Sequence, residues 1–237
     1  MKIVFKYTKL GKLKFISHLD NLRVLQRALR RTGMMAKYSE GFNPHPKLSI
    51  AYPLSLGVES IGEIAEVDLL NDISISEFIE RMNSCLPQGM VITEASEYLG
   101  SQSIPSMVCS QVYLFRISHN DEESVDATIS SLNGLLDNDY VIIREKKKKN
   151  KIVKKEMNLT SYILGIELIN IEMLDIDVKI AIHVSDSGSL KVDEVREFIY
   201  NSLNGVKSIE VQASTITDMY GNFDINIQHF YVYQLDA

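Results

Sequence analysis

Hydrophobic residues change their spacing several times within the first hundred positions, and this change limits the folds that the chain can adopt. Apolar and polar residues alternate in Lys2–Thr8, which predicts a strand. Apolar residues recur every three or four positions in Ser17–Thr32 and in Ser74–Leu86, which predicts two amphipathic helices with serine N-caps. With strands between and after them, the order becomes β-α-β-β-α-β, which is typical of the ferredoxin-like (split βαβ) fold.

Five further strands are predicted in this part of the chain. Lys12–Ile16, after the turn-prone Gly11, is expected to form a hairpin with the first strand. The other four are Met34–Ser39, Leu48–Pro53, Glu63–Leu70 and Met90–Tyr98. A segment rich in serine, Gly100–Met107, follows them and is typical of a linker.

The second part of the chain is predicted to repeat this order. Its elements are a strand at Ser110–Ser118, a helix at Asp121–Leu136, a hairpin of Tyr140–Lys147 and Lys151–Met157, a long strand at Ile171–Val184, a helix at Val192–Leu203 and a strand at Val206–Ile216. We therefore predict an α+β protein of two tandem ferredoxin-like units with antiparallel sheets. The units are residues 1–99 and 109–237, joined by a linker at 100–108.

Charge is distributed unevenly along the chain. The first 50 residues contain eleven Lys and Arg and two acidic residues, a net charge of +9, whereas the whole chain carries −6. The remaining 187 residues therefore carry −15. A polyanion is drawn to the first 50 residues and repelled elsewhere, although the basic surface could instead dock on the acidic remainder of the chain.

Several classes of protein do not fit this sequence. No apolar run reaches the roughly 18 residues that a membrane-spanning helix needs, and the N-terminus lacks the apolar segment of a signal peptide. Cys85 and Cys109 have no metal-ligand spacing and are typical of thiols in a reducing compartment. We expect a cytoplasmic protein with no metal, no cofactor, and no contact with membranes or DNA.

Arginines gather on one side of the first predicted helix. Leu22, Leu25 and Leu29 share the face that we expect to meet the core. The arginines fall mainly on the opposite face, at Arg23, Arg27, Arg30 and Arg31. Guanidinium groups bind phosphates in a bidentate way, so this face is a candidate nucleic-acid contact, although a solvated helix surface gives the same pattern.

The segment Tyr38–Lys47 (YSEGFNPHPK) combines an aromatic ring, an amide, an imidazole and an ammonium group in a constrained backbone. Two prolines flank His45 and restrict the backbone on both sides of it. The segment suits base stacking with phosphate contact, and it also suits acid–base chemistry by the histidine. The candidate RNA contacts within it are Phe42, Asn43, His45 and Lys47.

A second basic segment, Arg144–Lys155, contains eight basic residues among twelve and is predicted to form a hairpin tip. Its lysines could contact an RNA backbone, or could prevent an exposed strand from pairing with other sheets. The residues that we expect to contact RNA are Lys146, Lys147, Lys148 and Lys149.

Phe15–Asp20, the arginine-rich helix and Tyr38–Glu59 together resemble the radical-SAM-linked protein family. That family is a domain of unknown function, encoded beside a radical S-adenosylmethionine (SAM) protein or fused to its C-terminal end. The resemblance covers residues 1–100 and extends more weakly to Gly165, through Met157–Ile163. It implies an accessory protein of a radical enzyme, which binds or presents an RNA substrate such as tRNA or rRNA, and it supplies no catalytic residue.

Two other functions stay open. The first is a metal-independent ribonuclease resembling the CRISPR repeat-processing endonucleases, which requires that the helix and the loop place their histidines together. Its acid, base and phosphate clamp would come from His18, Tyr38, His45 and Lys47. The second is a protein-interaction module. The sequence leaves the question of catalysis open but favours a non-catalytic role, because it contains no P-loop, no dinucleotide-binding glycine pattern and no nucleophile elbow.

Overall fold

The computed structural model describes residues 1–132, 134–148, 151–184 and 188–217. In these residues the α-helices are α1 (His18–Arg31), α2 (Ile75–Cys85), α3 (Glu122–Leu132) and α4 (Val192–Ser202). The strands are β1 (Lys2–Lys9), β2 (Leu48–Ile50), β3 (Glu59–Asp68), β4 (Ile92–Glu97), β5 (Val108–His119), β6 (Val141–Lys148), β7 (Lys151–Asn158), β8 (Ile163–Glu172), β9 (Asp175–His183) and β10 (Val206–Thr217). The predicted α+β class is confirmed.

Eight of these strands form one sheet, in the order β4-β1-β3-β10-β5-β9-β8, with β2 paired to β3. β6 and β7 form a separate two-stranded hairpin. The strand order is therefore β4-β1-β3-β2 in the first half of the chain and β10-β5-β9-β8 in the second. In each half the last strand lies beside the first, and every pairing within a half is antiparallel.

The two halves share a sheet because β3 and β10 pair in parallel. Glu59 pairs with Gln212 and Ser60 with Ala213 in this junction. The Ser60 hydroxyl is buried there, 2.9 Å from the carbonyl oxygen of Ala213 and 2.8 Å from Glu63 Oε1. The antiparallel strands predicted for the two units are therefore joined by one parallel pairing into a single sheet. Hydrophobic spacing could not predict this junction, because spacing does not specify strand neighbours.

The two helices of the first half begin where their caps predict. Ser17 Oγ accepts a hydrogen bond from the backbone N–H of Asp20 at 3.2 Å, and Ser74 Oγ accepts one from Glu77 at the same distance. Each bond satisfies one of the N–H groups that a helix leaves free at its first turn. Leu25 and Leu29 of α1 are buried against the sheet, together with Phe78 of α2.

The predicted strand at Lys12–Ile16 is wrong, because the structure has a 3₁₀ turn at Gly11–Phe15. β1 is already paired with β3 on one side and with β4 on the other, so a hairpin partner has no free edge to join. Gly11 adopts a φ of 61°, which turns the chain away from the sheet at the end of β1.

Two other predicted strands also differ. Met34–Ser39 forms only isolated bridges, at Ala36 and Tyr38, instead of a strand. The long strand predicted at Ile171–Val184 is divided at Met173, whose φ of 52° makes the turn between β8 and β9. Most of β8 was missed because two register shifts, around Gly165 and before Asn170, break its alternation of apolar and polar residues.

The segment between β2 and β3 connects the two halves through apolar packing. Leu54 and Val58 leave the first half and lie buried in the core of the second, beside Tyr113 and Phe115. The predicted linker also packs on the molecule, since Ile104 is fully buried against the face of the sheet that the first two helices leave open.

The substitution Ser60→Ala tests the junction of the halves. We expect it to lower the free energy of unfolding by about 1–3 kcal/mol, because it removes a buried hydroxyl that bonds Glu63 and approaches a backbone carbonyl of β10. Urea denaturation measures the change. Ser101→Ala, at an exposed serine, is the control, and equal stability of the two variants would contradict the role given to Ser60.

Candidate nucleic-acid interface

The outer side of α1 carries the four predicted arginines, and all four are exposed. Arg23 is paired with Asp20, at 2.8 Å from Nη1 to Oδ1. Hydrogen bonds from Ser17 and Arg23 hold the pKa of Asp20 below its usual value, so this acid stays ionised and offsets one arginine.

The other three arginines of α1, which are Arg27, Arg30 and Arg31, form no ion pair within the described part of the chain. Lys37 and Lys47 are exposed as well, and no described carboxylate pairs with them. The alternative that the basic surface docks on the acidic remainder of the chain holds for part of it, because Lys2, Lys6 and Lys14 form ion pairs with Glu66, Glu94 and Glu59. It does not account for the unpaired arginines of α1, Lys37 and Lys47.

Residues 38–47 form a short hairpin, the loop hairpin, whose two sides are held by four contacts. Tyr38 and Pro46 form a bridge, and Ser39 N–H donates to the carbonyl of His45 at 2.9 Å. Ser39 Oγ accepts from the backbone N–H of His45 at 3.1 Å and lies 2.9 Å from its Nδ1. The side chain of His45 is thus used to hold the hairpin together.

The base of the loop hairpin is fixed to the end of β3. The N–H of Lys37 donates to the carbonyl of Asp68, and the N–H of Asp68 donates to the carbonyl of Lys47, at 2.8 and 2.9 Å. A third bond, from Lys47 N–H to the carbonyl of Lys37, closes the base at 2.7 Å. The backbone that carries the hairpin is therefore part of the sheet edge.

The loop hairpin lies at the same edge and the same end of the sheet as the C-terminal part of α1. α1 packs against β2, and the hairpin leads directly into β2. After α1 ends, Met35 and Ala36 bond to Leu70 and Leu69 just beyond β3. We call the four α1 arginines, Lys37, Lys47 and the loop hairpin together the basic face.

The residues proposed for a ribonuclease are not brought together. His18 lies beside Lys9, at one end of β1, whereas His45 lines a cavity with Lys2, at the other end. Residues of a strand are about 3.3 Å apart, so the two ends of β1 are separated by about 23 Å. Tyr38 and Lys47 belong to the hairpin with His45 and do not approach His18.

The second basic segment is only partly available for a ligand. Arg144 is bound to Glu194 of α4 through two hydrogen bonds, one of them 2.6 Å from Nε to Oε1, so it anchors the β6–β7 hairpin to the body. Lys146, Lys147 and Lys148 belong to β6, and Lys149 lies outside the described residues.

A buried polar cluster at the other end of β1 was not predicted from the sequence. It contains Tyr7, Lys9 and Glu63, which are almost fully buried, and Asn21, whose Nδ2 donates to the Tyr7 hydroxyl at 2.9 Å. Asn21 Oδ1 is buried and has no hydrogen-bond partner in the described residues. The Lys9 ammonium group donates to the carbonyl of Ile16 at 3.3 Å, which fixes the approach to α1.

Burial dominates the protonation of this cluster. It raises the pKa of Tyr7 well above its ordinary value, an effect that the negative charge of Glu63 increases. It lowers the pKa of Lys9, and Glu63 opposes that change. The pKa of His18 falls because of burial and because of the positive charge of Lys9, so its imidazole is neutral near pH 7.

One sequence signal could have revealed the cluster. Ile3, Phe5 and Tyr7 point to the helices, and Lys9 occupies the next position of the same alternation. A charged residue at an inward position is buried only with polar partners, which Glu63 supplies from the inward face of β3.

A family model matches most of the chain. Residues 2–192 match the model of a family described as "Uncharacterized protein conserved in bacteria (DUF2344)". The chain belongs to this family. No curated protein sequence matches the chain.

Three solved structures show a low similarity to the chain. The chain is 10% identical to one in a Cbf5-Nop10-Gar1 complex, with a TM-score of 0.43, over 89% of this chain and 48% of that one. It is 9% identical to a chain of an H/ACA RNP bound to a substrate RNA containing 2′-deoxyuridine (TM-score 0.40) and to one of the archaeal box H/ACA sRNP Nop10-Cbf5 complex (TM-score 0.41). In both, 89% of this chain and 46% of that chain are covered. This member of the DUF2344 family therefore spans about half the length of these chains.

The described residues contain no group of three or more His, Cys, Asp or Glu side chains placed to hold a metal ion. None of the helices described is long and apolar enough to cross a membrane.

The lowered pKa of His18 predicts a pH-dependent stability. In the unfolded chain the imidazole titrates near 6.5, whereas in the fold it resists protonation to a lower pH. Between these two values the unfolded state binds more protons, so the free energy of unfolding falls as the pH drops below about 6.5. We expect His18→Asn to weaken this dependence between about pH 7.5 and 5.5, measured by urea denaturation.

The control is His183→Asn, which makes the same change at an imidazole that is exposed to solvent. Equal pH dependence of the wild type and the His18→Asn variant would show that His18 titrates alike in both states.

Proposed function

We propose that this protein binds RNA through the basic face. The observation that carries the proposal is the row of exposed guanidinium groups on α1, three of them without an ion-pair partner in the described residues, beside a hairpin held by the sheet edge. Charges left unpaired on one helix face are available to an external anion.

The spacing of the arginines suits a phosphate backbone. Arg27, Arg30 and Arg31 lie within one turn, and a helix rises about 1.5 Å per residue, so they span about 6 Å along the axis. Neighbouring phosphates of a nucleic acid strand are separated by a similar distance. Arginine, unlike lysine, presents a planar group that holds two oxygens of one phosphate at once.

The acidic remainder of the chain supports this assignment through charge. It carries −15, so a polyanion that meets the protein is repelled from most of its surface and directed to the first fifty residues. In our proposal the lysines of the β6–β7 hairpin, Lys146, Lys147, Lys148 and Lys149, are a second backbone contact.

We further propose a division of the chain into two domains and a partner protein. Each half is a ferredoxin-like unit, with residues 1–99 and 109–237 as the two domains, and the strand orders β4-β1-β3-β2 and β10-β5-β9-β8 support this. The protein acts in the cytoplasm as an accessory of a radical SAM protein encoded nearby, and presents it with RNA. The support for the radical SAM partner is the resemblance of residues 1–100 to the radical-SAM-linked family.

The double substitution Arg27→Ala/Arg30→Ala tests RNA binding. We expect roughly ten-fold weaker binding of a labelled tRNA at about 50 mM salt, because two phosphate contacts are lost. The slope of log K against log salt should become less steep by about 1.4 to 1.8, since each phosphate contact contributes about 0.7 on a single strand and about 0.9 on a duplex. Fluorescence anisotropy over a salt series measures both.

A matched control removes two positive charges elsewhere. Arg81→Ala/Lys207→Ala changes exposed residues on α2 and β10 and should bind tRNA within about two-fold of the wild type. No binding of tRNA by the wild-type protein at low salt would refute the proposed function, and so would equal losses in the two double variants.

The accessory role predicts a stable complex with the radical SAM protein encoded beside this chain. We expect the two proteins to copurify from cells that produce both, and the complex to survive nuclease treatment. Loss of the complex in Arg27→Ala/Arg30→Ala, together with unchanged RNA binding, would identify the basic face as a protein-interaction surface instead.

A further inference from the structure

Phe42 stands at the tip of the loop hairpin with its ring fully exposed to solvent. Tyr38, on the same hairpin, is 46% exposed. The polar residues close to Phe42 in the sequence, Glu40, Asn43 and His45, are exposed as well. The phenylalanine therefore has no core to pack into.

The backbone that carries this ring is restrained on both sides of the hairpin tip. Contacts between Ser39 and His45 join the two sides of the hairpin a few residues from the tip. Pro44 and Pro46 restrict the return side, and Gly41 takes a φ of 137°, which favours glycine, immediately before Phe42. A ligand that stacks on the ring therefore loses little entropy in ordering the loop.

The chemistry around the ring selects one kind of ligand. The unpaired cations of the basic face suit phosphates, and an exposed aromatic ring suits the flat face of a base. A duplex buries the faces of its bases against one another, so only an unpaired base can stack on a side chain.

We propose that the basic face takes single-stranded RNA, or an unpaired loop of a folded RNA, with one base stacked on Phe42. This inference rests on the proposed function and narrows its ligand. The arginines of α1 hold the phosphates on one side of the hairpin, and the hairpin presents one base outward.

The experiment compares two RNA forms and three variants of Phe42. The probes are a labelled 12-nucleotide oligouridine and a labelled 12-base-pair RNA duplex, titrated with the full chain by fluorescence anisotropy. We expect the single strand to bind at least about five-fold more tightly than the duplex, and Phe42→Ala to weaken its binding roughly ten-fold. Phe42→Tyr keeps a ring and should stay within about two-fold of the wild type.

Stacking differs from charge in its response to salt. Phe42→Ala removes no charge, so the dependence of log K on log salt should be unchanged, in contrast to Arg27→Ala/Arg30→Ala. Tyr200→Ala, at an aromatic residue of α4 that is 58% exposed, is the matched control and should bind as the wild type does. Because Phe42 is fully exposed, its removal should also leave the thermal midpoint unchanged.

A direct readout comes from Phe42→Trp. The chain contains no tryptophan, so the variant has one fluorophore, placed at the hairpin tip. Stacking of a base on the indole should quench its emission with the single strand and not with the duplex.

Equal binding of the two RNA forms would overturn the inference, as would wild-type affinity in Phe42→Ala. If Arg27→Ala/Arg30→Ala still weakened binding in that case, the proposed function would stand without it. If neither RNA bound to the wild-type protein, both would fail. Loss of the complex with the radical SAM protein in Phe42→Ala, with RNA affinity unchanged, would identify the ring as a protein contact.

Discussion

The parallel pairing of β3 with β10 determines how the rest of the chain is arranged. β10 occupies the edge of β3 at Glu59–Gly62, and β2 occupies the same edge at Ala65–Val67. Since two strands share one edge, β2 has only three residues, and the chain after it must leave the sheet. It does so by burying Leu54 and Val58 in the core of the second half, which joins the halves by apolar packing as well as by backbone bonds.

A buried polar cluster beneath α1 connects the sheet to the helix that bears the arginines of the basic face. Lys9, Tyr7 and Glu63 lie where the alternation of β1 and β3 would place apolar side chains. Their mutual contacts, with Asn21 from α1, make polar burial tolerable and fix the first turn of α1 on the sheet. The far end of α1 then contacts β2, so the C-terminal part of the helix and the loop hairpin lie at the same end of the sheet.

Local signals in the sequence predicted the parts of the fold that local physics decides. The serine caps of α1 and α2 were predicted correctly because a cap depends on residues three positions apart. The hairpin partner for β1 was predicted wrongly because Lys12–Ile16 has strand-like spacing but meets an edge that β3 and β4 already fill. The junction of β3 with β10 lies between residues about 150 positions apart, and no local pattern specifies such a contact.

The difference between local and long-range interactions also explains which features of the site the sequence indicated. Both the exposed arginines and the constrained loop can be read from spacing, prolines and glycine, because these act over a few residues. His18, at the start of α1, and His45, in the loop hairpin, lie at opposite ends of β1. The length of this strand therefore separates them, although they are close in the sequence. The ribonuclease alternative needed them together, so the long-range geometry weighs against it where composition could not.

The two elements of the basic face supply different kinds of binding energy, and the difference bears on what the site can do. Phosphate contacts act on any strand and weaken steeply with salt, so the arginines alone would hold RNA without positioning a particular nucleotide. A base stacked on a ring whose loop is held by the sheet edge is fixed in place, and this contribution does not depend on salt. An accessory that presents a nucleotide to another enzyme requires both. In the proposed role, the arginines bring the strand to the protein, and Phe42 holds one base where a partner can reach it.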